Sequence, residues 1–190
     1  MDELDKSYPN GDGSWSADSS AKFDLNSNHL RPDGWTAADA AGLPILPGLV
    51  RYDKVYEQKT IQHAIRFRLQ NTKKAYVHPA THYASSLIDP SYPPMGKRFR
   101  LKAGFNISGY SPANQFILQA MKTYGLILAD NGSNMYISGA PDARWDDQDL
   151  NALKNISATN FEMTQLGYAS EPSAPGDPQA PSAPKSLRIR

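Results

Sequence analysis

Cysteine is absent from this chain. That excludes a disulfide scaffold, a thiol nucleophile and thiolate zinc sites. It leaves the compartment open, because cysteine-free chains suit the cytosol and many bacterial secreted proteins alike. Long apolar runs are also missing. No stretch approaches the roughly 18 consecutive apolar residues of a membrane-spanning helix, so no membrane insertion is expected. Neither sign of charge dominates: 20 basic and 19 acidic residues leave a net charge of +1. So even a balance argues against a phosphate-gripping nucleic-acid surface. The first residues, Met1-Asp2-Glu3-Leu4-Asp5, are acidic and lack the apolar stretch of a signal peptide. The chain is then either cytosolic or begins after an export signal. Walker, dinucleotide-binding, Gly-x-Ser-x-Gly and His-Glu-x-x-His patterns are all lacking, which removes several large enzyme classes at their usual signatures.

Proline, by contrast, is plentiful near the C-terminus. Pro172, Pro175, Pro178, Pro181 and Pro184 recur every third residue among Ala, Ser, Gly, Asp and Gln. Three residues per turn is the polyproline II period, and such a composition builds no core. Residues 169–184 therefore read as a semi-rigid linker, and the alternation in 185–190 as the start of a following β module. Residues 21–168 form the globular domain, long enough for a self-sufficient core. Residues 1–20 read as a partial N-terminal segment, open to truncation, with a hairpin turn at Pro9-Asn10-Gly11.

Within the domain, Lys22–Leu25, Ile61–Leu69, Ala75–His78 and Arg98–Phe105 read as strands. In the second of these, Ile61, His63, Ile65, Phe67 and Leu69 share one face. Thr36 is placed to cap a short helical turn through Ala41, and Leu49–Glu57 has a helical apolar face. Ser111–Gly125 is the clearest helix, with Ser111 as N-cap, Pro112 at the first position and Gly125 as the stop. Leu126–Ala129 and Asn134–Ile137 read as a hairpin around Asp130-Asn131-Gly132-Ser133. Asp146 or Asp147 opens a last short helix with Leu150, Leu153 and Ile156 inward, and Phe161–Leu166 closes the sheet. Strands outnumber helices in mixed order. The expectation is an α+β fold, with a β-rich sandwich or jelly-roll-like core decorated by two or three helices.

Candidate chemistry rests on few residues. Asp53 follows a stiff Pro-Gly loop and Asp130 ends an apolar strand. Two carboxylates across a cleft are what glycoside hydrolysis requires, although Asp130 equally suits the first position of a turn and Asp53 equally suits an ion pair with Arg51 or Lys54. His63 on an apolar strand face needs a partner, and His82 lies four residues after His78. These three histidines offer a metal site, but structural, hydrogen-bonded histidine is the better reading, so no metal and no cofactor are expected. Asp53, Asp130, His63 and His82 are thus the candidate catalytic residues. Arg66, Trp35, Tyr83, Asn131 and Trp145 are the candidate substrate contacts, since rings on loops stack on sugar faces.

The segments Phe23–Asn28, Leu30–Asp53, His63–Phe67, Tyr76–His82 and Tyr124–Ser133 together resemble a family of secreted microbial domains. The resemblance spans most of residues 20–165 and carries no established reaction. It implies an extracellular setting beside fibronectin-like or carbohydrate-binding modules, and further sequence upstream. Ser182–Arg188 is similar to the entry of a fibronectin type III domain. The expected function is an extracellular carbohydrate-active domain acting on a polysaccharide, as a glycoside hydrolase or as a non-catalytic binding or adhesion module. It is expected to be a monomeric module of a larger chain.

Overall fold

Ile65, Phe67, Leu126 and Leu128 are almost wholly buried, and they mark the centre of the domain because they lie on neighbouring strands. The computed structural model describes residues 1–164; the linker and the β-module start expected beyond them lie outside the described residues. The chain runs through β1 (Asp2–Pro9), β2 (Trp15–Lys22), β3 (Ile65–Leu69), β4 (Arg98–Leu101), α1 (Pro112–Thr123), β5 (Leu126–Asn131), β6 (Tyr136–Ile137), α2 (Asp147–Leu150) and β7 (Phe161–Met163), with short 3-10 and π turns between. β1 and β2 form an antiparallel hairpin, and the other strands form one sheet in the order β6-β3-β5-β4-β7. The fold is mixed α+β with two sheets and few helices. Neither a sandwich nor a jelly-roll is established by this arrangement.

β3 and β5 run parallel, with Ile65 beside Leu126 and Phe67 beside Leu128. Adjacent partners point to the same face. That face is covered by α1 through Ile117, Leu118 and Met121. Arg66, between Ile65 and Phe67, therefore projects from the opposite face. α1 starts as its sequence dictates: Ser111 Oγ accepts from Asn114 N at 3.2 Å and Pro112 takes the first position. It stops at Gly125, whose φ of 77° suits glycine alone, with an added Cβ only 2.4 Å from the Phe99 carbonyl.

Several expectations are corrected. Leu126–Ala129 and Asn134–Ile137 are not a hairpin, because β3 lies between β5 and β6; the Asp130-Asn131-Gly132-Ser133 turn steps over a neighbouring strand. Leu49–Glu57 is not one helix. Leu49 is extended, Val50 bridges Gly139, and only Asp53–Glu57 coils, as a π turn. Residues 38–41 form turns rather than a helix. The second strand begins at Ile65, where its amide bonds the Gly125 carbonyl at 3.0 Å, so Ile61 and His63 precede the strand. Ala75–His78 contributes only a bridge from Tyr76 to Met95, and the His78–Pro79 peptide that follows is cis. The strand expected at Lys22–Leu25 ends at Lys22.

Candidate functional site

Two loops meet on the side of the sheet from which Arg66 projects. Residues 76–83 carry the cis proline and are pinned by Val77 N to Met95 O at 2.8 Å and by Thr81 N to Ala41 O at 2.9 Å. Residues 31–36 lie against them through Gly34 N to Thr81 O at 2.7 Å and Thr81 Oγ1 to Trp35 O at 2.9 Å. Thr81 is buried; its hydroxyl and carbonyl join the two loops, and its amide ties them to Ala41.

This junction presents a row of aromatic rings. His82 and Tyr83 are 5.8 Å apart between centroids and within 14° of parallel. Tyr83 and Tyr76 are 6.3 Å apart at 25°, and Tyr76 and His78 are 6.2 Å apart at 42°. All four side chains are half-buried. Near-parallel rings at such separations are displaced sideways rather than stacked face to face, so they tile a surface. Asp33 sits at its edge, with Oδ1 2.9 Å from His78 Nε2. Burial, and then the nearby Asp33 charge, push the Tyr76 phenol upward. Trp35 is 58% exposed, and the Arg31 guanidinium lies over its ring at 5.7 Å.

Behind the tiles lies a buried acid. His82 Nδ1 is 3.0 Å from the Ala40 carbonyl. The preceding residue, Asp39, has a fully buried side chain that bonds Arg66 Nη2 at 3.1 Å and accepts from Leu43 N at 3.0 Å. Arg66 Nη1 reaches Ser138 Oγ at 3.3 Å, and its buried Nε has no partner among the described residues. Burial pushes the Asp39 carboxyl up to about 7. Arg66 opposes that shift, and the charge of Asp130 adds to it.

The structure thus gathers His82, Tyr83, Arg66, Trp35 and Asp130 around the two loops and Asp39. It places the others elsewhere. Asp53 is held by Arg51 through Nε to Oδ1 at 3.1 Å and Nη2 to Oδ2 at 2.8 Å. This hydrogen bonding to Arg51 holds its carboxyl below the usual range. Val50, three residues earlier, pairs with residues 138–140, which pair with β3, which pairs with β5. Three strand spacings, roughly 14 Å, thus part that segment from the strand bearing Asp130. Asp130 Oδ1 accepts from the amide of adjacent Asn131 at 2.9 Å. Asn131 Nδ2 bonds Thr72 Oγ1 at 2.9 Å, while its buried Oδ1 has no partner among the described residues. His63 Nδ1 lies 3.0 Å from the carbonyl of adjacent Ala64. Trp145 packs edge-on against Tyr52 and Tyr56, and its Nε1 donates to Ala140 O at 2.9 Å. Among the described residues no group of three or more His, Asp or Glu side chains is placed to hold a metal, and no helix is long and apolar enough to cross a membrane.

Asp33, Arg31, Tyr76 and Asp39 belong to the site but were not singled out from sequence. Asp33 and Tyr76 carried a signal, since each lies within two residues of a candidate. Asp39 sits in an Ala-rich turn and carried none. No family model, no curated protein and no solved structure matches this chain.

Proposed function

We propose that this domain binds an extracellular polysaccharide, with Tyr83, Tyr76, His82 and His78 as a stacking platform and Asp33, Arg31 and Trp35 at its margin. The observation that carries the reading is a row of four half-buried rings whose His78 end lies 2.9 Å from the Asp33 carboxylate. Sugar rings offer flat C–H faces to aromatic rings and hydroxyls to a carboxylate edge. Neighbouring tiles at about 6 Å suit successive units of one chain better than a single compact ligand. The resemblance to secreted domains and the proline-rich linker support the same setting.

The hydrolytic reading, with Asp53 and Asp130 as a pair, draws less support. Asp53 is engaged by Arg51, and Asp39, the carboxyl raised to about 7, has no exposed side-chain surface to offer a substrate. The test is affinity electrophoresis against a panel of soluble polysaccharides, with a reducing-end assay in parallel. Retardation by at least one glycan is expected, weakened about two- to tenfold by Tyr83→Ala or Tyr76→Ala, the range an aromatic contact contributes. No retardation by any glycan, or retardation indifferent to both substitutions, refutes the platform. Reducing ends released by the wild type and lost in Asp130→Asn would replace it with the hydrolytic reading.

A further inference from the structure

A cavity of about 460 Å³ opens on the other face of the sheet, between α1, β6 and the segment that follows Trp145. Its walls are mostly apolar. Ile117, Met121 and Leu126 form the floor, and Trp145, Leu153 and Ile156 are among the side chains that surround it. Those last three are only half-buried although they pack against the core. The apolar stripe of the last short helix, which the sequence marks as inward-facing, thus borders a space instead of filling it. Small-molecule sites have roughly this volume, about 300–1,000 Å³, and this kind of lining.

Two charges stand where the walls end. Lys154 donates to Asn151 Oδ1 at 2.5 Å and has no ion pair among the described residues. Asp147, in the first turn of α2, likewise has none and also lines the cavity. Arg144, the neighbouring cation, is committed elsewhere, to Asp142 at 2.7 Å and to the Tyr52 ring at 3.9 Å. Among the described residues that line this mouth, Lys154 is therefore the cation without an ion pair.

We infer that this cavity binds a single-chain amphiphile of the fatty-carboxylate class, its hydrocarbon chain against Ile117, Met121, Leu153 and Ile156 and its carboxylate at Lys154. The apolar walls select the chain. Of the two charges, Lys154 attracts a carboxylate head and Asp147 repels it, so substitutions at both residues test the sign of the head group. An uncharged head would feel neither residue.

Trp145 supplies the readout, because it lines the cavity while Trp15 and Trp35 are 60% and 58% exposed elsewhere. The full chain is titrated with dodecanoate and, separately, with dodecanol, each below its aggregation limit. A saturable change in tryptophan emission is expected with both and is lost in Trp145→Phe. Lys154→Ala should weaken dodecanoate about two- to fivefold and Asp147→Asn should strengthen it by a similar factor, the range of exposed charge pairs. Dodecanol should respond to neither. Ala140→Phe, which places a ring in the cavity wall, should abolish binding of both. Gly139→Leu is the second filling variant; a Cβ there meets only the Val50 carbonyl, at 3.5 Å, so the fold should accept it. The inference is overturned if emission does not saturate, or if both filling variants fold and still bind. Equal response of dodecanoate and dodecanol to Lys154→Ala would overturn the carboxylate assignment. A sedimenting dimer whose formation buries Trp145 would assign the cavity to a second copy instead.

Discussion

Replacing Asp39 by Asn should flatten the pH dependence of stability in a defined window. In the folded chain the Asp39 carboxyl is raised to about 7 from its ordinary 3.8, because burial outweighs the attraction of Arg66. A raised folded value has a fixed consequence for linkage. Below about pH 4 both folded and unfolded chains hold the proton, and the stabilisation is fully present. Above it the unfolded chain releases its proton first, so stability falls with rising pH until the folded acid ionises near pH 7. Each pH unit in that window carries about 1.4 kcal/mol, which bounds the effect at about 4 kcal/mol across the whole window and about 3 kcal/mol from pH 5 to pH 8. Asparagine keeps the shape and one hydrogen-bond acceptor but has no proton to lose. Below about pH 7 both side chains are neutral beside Arg66; above it only the wild type supplies a counter-charge, and any constant cost of the amide shifts every pH alike. Only the change in the gap is diagnostic. Urea denaturation of both proteins at pH 5, 6, 7 and 8 supplies it. The wild type should lose stability relative to Asp39→Asn by about 3 kcal/mol over this range. Asp142, held at about 2 by Arg144, and the other lowered carboxylates titrate below this window and act equally in both proteins. A gap independent of pH, or one that widens in favour of the wild type, would mean that Asp39 is ionised throughout and that Arg66 outweighs burial.

Gly96→Ala should destabilise the domain and disturb the ring platform together. Gly96 has φ 79°, and an added Cβ would lie 2.0 Å from the Val77 carbonyl and 2.8 Å from Ala80 Cβ. The backbone conformation alone costs about 1–3 kcal/mol for alanine; the clash adds to it and pushes on the loop that carries Tyr76, His78 and Tyr83. Thermal melting together with glycan retardation checks this, and a variant normal in both would refute the coupling. Ser111→Ala removes the α1 cap and the 2.6 Å hydrogen bond to Asp149 Oδ2. It should cost about 1–3 kcal/mol in chemical denaturation, and Ser111→Thr should recover most of it.

The sequence made α1 legible because cap, proline, period and stop all agree within 15 residues. β3, β5 and β4 were legible as strands for the same reason: their apolar patterns are strong and local. Their pairing was not. The Asp-Asn-Gly turn after β5 is locally a hairpin signal, yet β6 pairs with β3, because the parallel contact of Ile65 and Phe67 with Leu126 and Leu128 occupies that edge of β5. Non-local burial overrode turn chemistry there. The candidate site was legible where one short segment holds it, as at His82 and Tyr83. It was hidden where distant segments meet. Asp39 becomes notable only when 27 residues of chain return Arg66 to it, and Asp33 only when the loop to His78 closes over 45 residues. Asp53 stayed open in the sequence, because an aspartate after a Pro-Gly loop reads alike whether it faces a cleft or pairs with the arginine two residues before it; the structure shows the pairing.

The strand alternation of β3 also explains why one sheet carries two unlike surfaces. Ile65 and Phe67 point toward α1, so that face must be apolar, and where the last helical segment stops short of α1 it leaves an apolar cavity. Arg66 points the other way, so the opposite face must supply a counter-charge. Asp39 supplies it, and the chain around Asp39 then accepts the backbone of Thr81 and the ring of His82. The buried ion pair thus fixes the base on which the aromatic loop stands. Exchange of Arg66 for Met would remove the cation and its hydrogen bonds to Asp39 and Ser138, and would free residues 37–43 to move. Amide exchange at Leu43 and Thr81 should then quicken more than exchange in α1, which packs on the other face. Equal acceleration in both would show that the two faces unfold as one unit and that the ion pair has no local hold on the platform.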